Sequence, residues 1–423
     1  MSAAPGRPQA SSQRSAQHEG TPVSVTTYFY VRPTDSLFIR GNLAFGDSGE
    51  HGASQMPPPP SLFAGAFRSA ILGQNAEYMA QFLAGQPLAD DARRRCLGTY
   101  AQPGAFRLSW LSLAGQAHGQ AIGQAAPEAV MPLPADLVVL GKAFAPLIPQ
   151  ALAAGTSCSG ELPMRATLFS AKQEKPSTGI YLRGTGLQDH LAGKLPGDAA
   201  QAAAGHLFRR DPRLGIGLNA DSRTAEEGLI YTTDGYAFGP GEGDDGKASP
   251  FASTGFLVGM DGVADVLPDQ GSLRLGGDGR SATYQRVGFK SPMPDKPAAN
   301  KRFRLVLQSP ALFSQGWLPD GVVQENGFYK LQGAGFSARL ACAAIGRREV
   351  VSGWDLHGWK PKPAQAATPA GSVYWFDEFE GDAGKLAAWV KGGLWPENQH
   401  AMDATQKMRR AEGYNLALLG AWI

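Results

Sequence analysis

Apolar residues fall along this chain in two rhythms. From residue 23 to 31 the run Val-Ser-Val-Thr-Thr-Tyr-Phe-Tyr-Val is dense in β-branched and aromatic side chains and predicts a first strand. Between 62 and 71 the period changes. Leu62, Phe63, Ala66, Phe67, Ala70 and Ile71 recur at three- and four-residue spacing, one stripe on a helix. Prolines 57 to 60 precede it, and Ser61 is placed to cap it. Gly65 costs such a helix stability, so close packing or a close ligand is expected to explain it. Arg68 lies off the stripe, free to point at an anion. Residues 75–83 predict a second helix. Phe106, Leu108 and Trp110 alternate with Arg107 and Ser109 as in a half-buried strand, and 130–140 supplies another.

The second half reads mainly as strands, at 213–219, 228–238, 255–263, 303–308, 335–347, 371–379 and 414–422, with a helix at 382–391. Residues 145–178 look irregular. Polar, glycine-rich loops are expected at 41–54 and 239–250, with another loop at 361–369. No fixed-period repeat is visible. The order strand, helix, strands suits an α+β protein built on ferredoxin-like (RRM-like) domains. The expected division is a disordered tail at 1–21, a ferredoxin-like domain at 22–145 and a second domain at 146–423.

Composition narrows the picture. With 423 residues the chain can form two or three cores. Its 54 glycines and 31 prolines point to a loop-rich fold with few, short helices. The net charge is only +2, so a nucleic-acid site must be a local patch. Cys96, Cys158 and Cys342 are far apart and odd in number, which argues against a disulfide framework or zinc knot and suits a reducing, cytoplasmic setting. No apolar run reaches membrane-spanning length, and residues 1–20 lack the apolar core of a signal peptide. Neither a cofactor nor a metal site is expected. The eight tryptophans allow sizeable protein interfaces.

Several segments carry candidate chemistry, each with a plainer alternative. In Leu214-Gly-Ile-Gly-Leu218 a strand would put Gly215 and Gly217 on one face, open to another chain, and the apolar residues on a core. A bulge or crowded packing is the alternative. Residues 219–227 are too long for a two-residue hairpin turn, and Thr224 with Glu227 has capping-box spacing, so the tip is expected to hold a helical turn. Arg223 there reads as a local ion-pair partner of Glu226 and Glu227 on a solvated hairpin. Gly276, Gly277 and Gly279 with Arg280 form a loop whose N–H groups suit a phosphate, or else a tight turn. Arg274 and Arg286 flank it, and Tyr284 offers a stacking face. Arg209, Arg210 and Arg213, with His206 and interleaved Phe208, suit single-stranded RNA or a solvated charged turn. Arg409 with Arg410, and Lys360 with Lys362, are weaker patches.

Residues 241–248 nearly spell a P-loop. Ala248 stands where the magnesium-binding hydroxyl is needed, the local carboxylates would repel phosphate, and Pro250 interrupts the required helix. Asp377, Glu378, Glu380 and Asp382 precede a helix and suit its N-terminal dipole.

The motifs taken together resemble a known family. Phe38-Ile-Arg-Gly-Asn-Leu-Ala-Phe-Gly through the 61–72 helix is similar to the first helix region of the RAMP proteins of CRISPR effectors. Arg213 to Tyr231, Leu275 to Arg280, Ser309 to Phe313 with Gly316 to Pro319, Ser352 to Leu356 with Pro361 to Pro363, and Pro369 to Tyr374 follow in the family's order. The likeness is greatest to the Cmr (type III-B) subunit that holds the 5′ handle of crRNA, and it covers about residues 22–423. It implies two RAMP domains, a hairpin thumb at about 213–238 and a glycine-rich loop at 275–280 lying on RNA. It implies RNA contacts by Arg40, Arg68, Arg209, Arg210, Arg213, Arg223, Arg274, Gly276, Gly277, Gly279, Arg280 and Tyr284. The implied partners are crRNA, target RNA near the handle, the polymerase-like large subunit and a backbone RAMP subunit, with no membrane.

The resemblance implies a subunit without catalysis. The alternatives are a RAMP-type endoribonuclease that processes precursor RNA, and the handle-binding subunit of another type III variant. For the nuclease, His51 in the loop before the helix would be the general acid or base, with Arg68 on the phosphate. A solvated loop histidine is the plainer reading.

Overall fold

The computed structural model describes residues 25–39, 51–52, 54–120, 123, 125–153, 162–171, 173–243, 246–294, 300–398 and 401–422. The expected tail and most of the 41–54 loop lie outside the described residues.

Two antiparallel sheets carry the architecture. The first runs, in spatial order, Gln270–Arg274, Ser281–Val287, Thr27–Pro33, Phe251–Asp261, Arg107–Ala117, Glu128–Pro132, Ile180–Arg183 and Gln201–Ala203. The second runs Val322–Glu325, Phe328–Gly333, Phe336–Ala344, Val373–Gly381, Phe303–Leu307 and Ala417–Ala421.

Side-chain alternation explains how the sheets layer. In the first strand Phe29 and Val31 face one core and Tyr30 faces the other. The first core is closed by α1 (Pro60–Leu72), with α2 (Ala76–Leu83) and α3 (Asp91–Leu97) beside it. Phe63 and Phe67 are fully buried there, which is worth about 1.5–3 kcal/mol for each ring. On its other face the first sheet meets the second. Tyr30, Trp110 and Leu257 pack with Val306, Cys342, Trp375 and Leu418, and α4 (Gly184–Leu191) adds Leu187 and Leu191. The far face of the second sheet is covered by Leu386 and Val390 of α5 (Ala383–Lys391). A last helix, α6 (Ala404–Ala411), lies against Arg107–Ala117. The result is an α+β fold of helix, sheet, sheet and helix.

A buried polar joint ties the sheets together. His190 Nε2 lies 2.9 Å from Asp136 Oδ1, and Arg304 Nη1 pairs with the other oxygen of the same carboxylate. Arg304 Nε also donates to the Ala421 carbonyl at 2.9 Å.

Several expectations need correction. Ser61 does not cap α1. Pro59 holds that position, Pro60 supplies the pre-set φ of the first turn, and the Ser61 hydroxyl meets Tyr414 Oη at 3.1 Å. Gly65 is exposed, and a methyl there would touch nothing within 4 Å. The strand expected over 130–140 is two strands in different sheets, Glu128–Pro132 and Leu137–Leu140. The segment 145–178 is not wholly irregular, because Ala143–Ala151 and Met164–Leu168 pair antiparallel. The division expected at 145 falls inside the first sheet, since Thr27–Pro33 pairs with Phe251–Asp261 and Ser281–Val287. By contrast, Asp382 caps α5 as its position before an apolar run implies, accepting from Gly384 N at 2.7 Å.

Candidate nucleic-acid interface

The hairpin of Phe208–Leu218 and Ala225–Phe238 grows out of the edge of the first core. At its root Phe208 packs with Tyr181, Tyr236 and Phe238. Beyond residue 213 the side chains reach solvent. Leu214, Ile216 and Ile230 are 71, 52 and 58% exposed. Ile216 pairs directly with Ile230, so this is one apolar face. The glycine face is the covered one: added methyls at Gly215 and Gly217 would strike the Tyr231 ring and Leu229. The expected faces are thus reversed, because Tyr231 and Leu229 lie over the gap the glycines leave. The tip holds one helical turn, closed by Arg223 N to the Asn219 carbonyl at 2.9 Å, but Asn219 and not Thr224 caps it. Asn219 Oδ1 accepts from the amides of Asp221 and Ser222 at 3.1 and 3.0 Å, Arg223 takes a left-handed φ of 55°, and the returning strand begins at Ala225. Arg223 is exposed and has no ion-pair partner among the described residues.

The hairpin's root meets two distant segments. Leu37 exchanges backbone hydrogen bonds with Tyr236 at 2.8 and 3.0 Å, which lays residues 34–38 beside the second strand. Gly277 N donates to the Phe38 carbonyl at 2.8 Å, which docks the glycine turn on the same segment. Gly276 sits at φ 82°, and a methyl there would come within 2.6 Å of that carbonyl. Only glycine fits this close approach.

This docking gathers Arg213 and Arg280 around the half-buried Phe38 ring, at 5.8 and 5.1 Å from its centroid. Asp35 and Asp211 hold the guanidiniums in place. Arg213 Nη2 is 3.1 Å from Asp35 Oδ1 and 2.9 Å from Asp211 Oδ2, and Arg280 Nη1 pairs with Asp35 Oδ2. Ser36 Oγ donates to Asp211. The Ser36 amide, then Arg213 and Arg280, hold the Asp35 carboxyl below the ordinary range. The Ser36 hydroxyl and Arg213 do the same for Asp211. The two carboxylates raise the Arg213 guanidinium in turn. Arg209 lines the same cleft, with Thr34 and Ala237. The cleft therefore presents Arg213 and Arg280, held and partly neutralised by carboxylates, with the exposed Arg209 beside them, at the foot of the hairpin.

The other candidates divide. Arg274 is exposed on the strand leading into the glycine turn. Arg210 points from the opposite face of the hairpin, 4.0 Å from Asp234. The glycine loop is a tight turn, closed by Leu275 N to Arg280 O at 2.8 Å, so Gly276, Gly277 and Gly279 do not form an open nest of amides. Tyr284 is not a stacking face: it is 5% exposed and packs with Phe29 and Phe67. Arg68 is not free either. It lies over the Phe106 ring at 4.9 Å and donates to Met408 Sδ, and burial lowers its pKa. Arg286 is held by Asp269 at 2.8 Å. His206 is buried against the Lys247 carbonyl, and Arg409 is buried with Glu412. Arg40 lies outside the described residues. His51 pairs by backbone with Thr232, partway along the hairpin's second strand and opposite Leu214. Strand Phe251–Asp261 follows the near-P-loop where phosphate binding needs a helix.

Sequence reading missed Asp35, Ser36, Phe38 and Asp211 as parts of this cleft. Their only signal was proximity to candidate arginines; their meeting depends on long-range pairing. Among the described residues, no group of three His, Cys, Asp or Glu side chains could hold a metal ion, and no helix is long and apolar enough to cross a membrane.

Fold and cleft together define a strand-rich α+β protein with an arginine cluster at the foot of an exposed hairpin. A family model described as "CRISPR-associated protein (Cas_Cmr3)" matches residues 29–422, and the chain belongs to that family. Two solved structures are similar over 92% of this chain. One, a cryo-EM structure of the type III-B Cmr-beta bound to cognate target RNA, shares 15% identity at a TM-score of 0.47, with 96% of its chain covered. The other, the same assembly with target RNA and AMPPnP, shares 13% at a TM-score of 0.42, with 98% covered. No curated protein matches the chain.

Proposed function

We propose that this chain is a non-catalytic RNA-binding subunit of a type III-B CRISPR effector complex, and that it caps the 5′ handle of crRNA. The observation that carries the reading is the convergence of Arg209, Arg213 and Arg280 on one cleft at the hairpin's foot. Phosphates of a single strand would compete with Asp35 and Asp211 for the guanidiniums. The hairpin would act as a thumb on the guide–target duplex, with Leu214, Ile216 and Ile230 as an apolar wedge against base faces and Arg223 at its tip. The remaining surface would serve the polymerase-like large subunit and the first backbone subunit, in the cytoplasm.

Strand order supports two ferredoxin-like RAMP domains. Around Thr27–Pro33 the four central strands run 281–287, 27–33, 251–261 and 107–117, which is fourth, first, third, second. In the second sheet the strands 417–421, 303–307, 373–381 and 336–344 repeat that order. On this reading the domains divide between 287 and 303.

The test compares wild type with an Arg213→Ala/Arg280→Ala variant on labelled handle RNA. The variant should bind more weakly, and its salt dependence should flatten by about 0.7 log units for each phosphate it no longer neutralises. Unchanged affinity and slope would overturn the site. Cleavage of repeat RNA at one position, abolished by His51→Ala, would overturn the non-catalytic reading in favour of precursor processing.

A further inference from the structure

One exposed aromatic structure takes no part in the cleft. Trp354–Asp355 pairs with Lys360–Pro361 as a short ribbon. Trp354 and Trp359 are 49 and 75% exposed and lie edge to face, with centroids 5.8 Å apart. Neither belongs to any of the hydrophobic cores. Trp359 sits at φ 47°, in the left-handed region that a bulky side chain rarely enters. Such strain persists only where the surroundings impose it.

The surroundings here are specific. At the ribbon's base Arg409 Nη1 donates to the Ser352 carbonyl at 3.0 Å, and Lys362 pairs with Glu412. Toward its turn Tyr100 Oη donates to Asp355 Oδ1 at 2.7 Å. The His357 ring lies 4.3 Å from that of Tyr100, and His357 Nδ1 meets the Leu83 carbonyl at 2.7 Å. Two helices and a loop thus hold the ribbon while its indoles stay in solvent. Asp355 is turned inward onto Tyr100 and the His357 amide. Lys360 is exposed, its stem packed over Gly358, with no partner among the described residues. The ribbon therefore shows solvent two indoles, the Leu356 side chain and a cation.

We propose that this ribbon is a second RNA site, a stacking platform for unpaired bases of a single strand, with Lys360 on the adjoining phosphate. Indole faces stack on any base, so the site is tolerant of sequence. An open face of Trp359 takes a base, and Trp354, set against it edge-on, limits its rotation. The inference rests on the reading of the chain as an RNA-binding subunit and adds a contact remote in sequence from Arg209, Arg213 and Arg280.

The experiment measures binding of a twelve-nucleotide oligo(U) and of handle RNA to wild type, to Trp354→Ala/Trp359→Ala/Lys360→Ala, and to Arg213→Ala/Arg280→Ala. These side chains are exposed, so the ribbon variant should keep the wild-type melting curve. The expected result is at least about a tenfold loss of oligo(U) affinity in the ribbon variant, larger than in the arginine variant. Iodouridine-substituted oligo(U) should crosslink to Trp354 or Trp359 in wild type. If the ribbon variant binds both RNAs as wild type does while the arginine variant fails, the platform is overturned and the handle site stands. A ribbon variant that keeps its RNA affinity but no longer joins other Cmr subunits would make the ribbon a protein-docking finger, which also overturns the proposal. If neither RNA binds wild type, both readings fall.

Discussion

Gly65 and Gly276 show how differently one residue type behaves. Gly65 stands in the exposed side of α1, where a methyl meets nothing. Gly65→Ala should therefore raise stability by about 0.5–1 kcal/mol, read as an increase in melting temperature. Gly276 cannot change, because its φ and the Phe38 carbonyl both forbid a side chain. The sequence marked both as special and could not separate them; the difference lies in what packs nearby. Charge behaves similarly. Arg209, Arg210 and Arg213 were visible as a cluster, and the carboxylates that hold Arg213 were not. Removing one of those carboxylates while keeping its shape should unmask a guanidinium. Asp211→Asn is expected to tighten RNA binding and steepen its salt dependence, measured by titration at several salt concentrations. The described thiols give a pH test. Burial pushes Cys96 up to about 12 and Cys342 to about 11. Both stay protonated in the fold above pH 9.0, where the unfolded thiols ionise, so the folded state binds more protons and stability falls as pH climbs past 9. At pH 8 neither should react with a thiol reagent until denaturant is added.

The hairpin is the element on which the proposed function most depends. Its outer strands were legible from β-branched and apolar runs at 213–219 and 228–238, while the root at 208–212 and the register that sets Phe208 opposite Phe238 were not. Which face would be covered was not legible, because that depended on Tyr231 folding over Gly215. Replacing residues 220–227 by Gly-Gly should leave the melting temperature nearly unchanged, since the outer half contributes little to the core. Handle binding should survive, and cleavage or activation on target RNA should change in the assembled complex. An unfolded variant would make the segment structural, and wild-type behaviour on target would remove the thumb. The first helix was equally legible from its stripe, because a 3.6-residue period needs no knowledge of partners. The eight-residue α2 was legible too from Tyr78, Met79, Phe82 and Leu83, whereas α3, α4 and α6 carry too few large apolar residues for a period to show.

At the scale of the whole molecule, the two sheets share a core and a charged joint. Asp136, His190 and Arg304 come from three separate segments, and nothing local announces them. Arg304→Ala would leave a buried carboxylate and histidine without the arginine that pairs with them. It should cost about 3–5 kcal/mol, measured by denaturant unfolding. The alternation of apolar residues foretold sheets, yet the boundary at 145 failed because antiparallel partners need not be neighbours in sequence. Tyr28 sits between Gly259 and Val287. During biosynthesis those partners leave the ribosome long after Tyr28 does. At about 5–20 residues per second the delay is roughly ten to fifty seconds. Through that interval the strand carrying Phe29, Tyr30 and Val31 emerges with neither neighbour to pair with, a ready client for chaperones. A nascent chain stalled near residue 145 should stay protease-sensitive along its whole emerged length, and one stalled well beyond 287 should yield a resistant amino-terminal fragment.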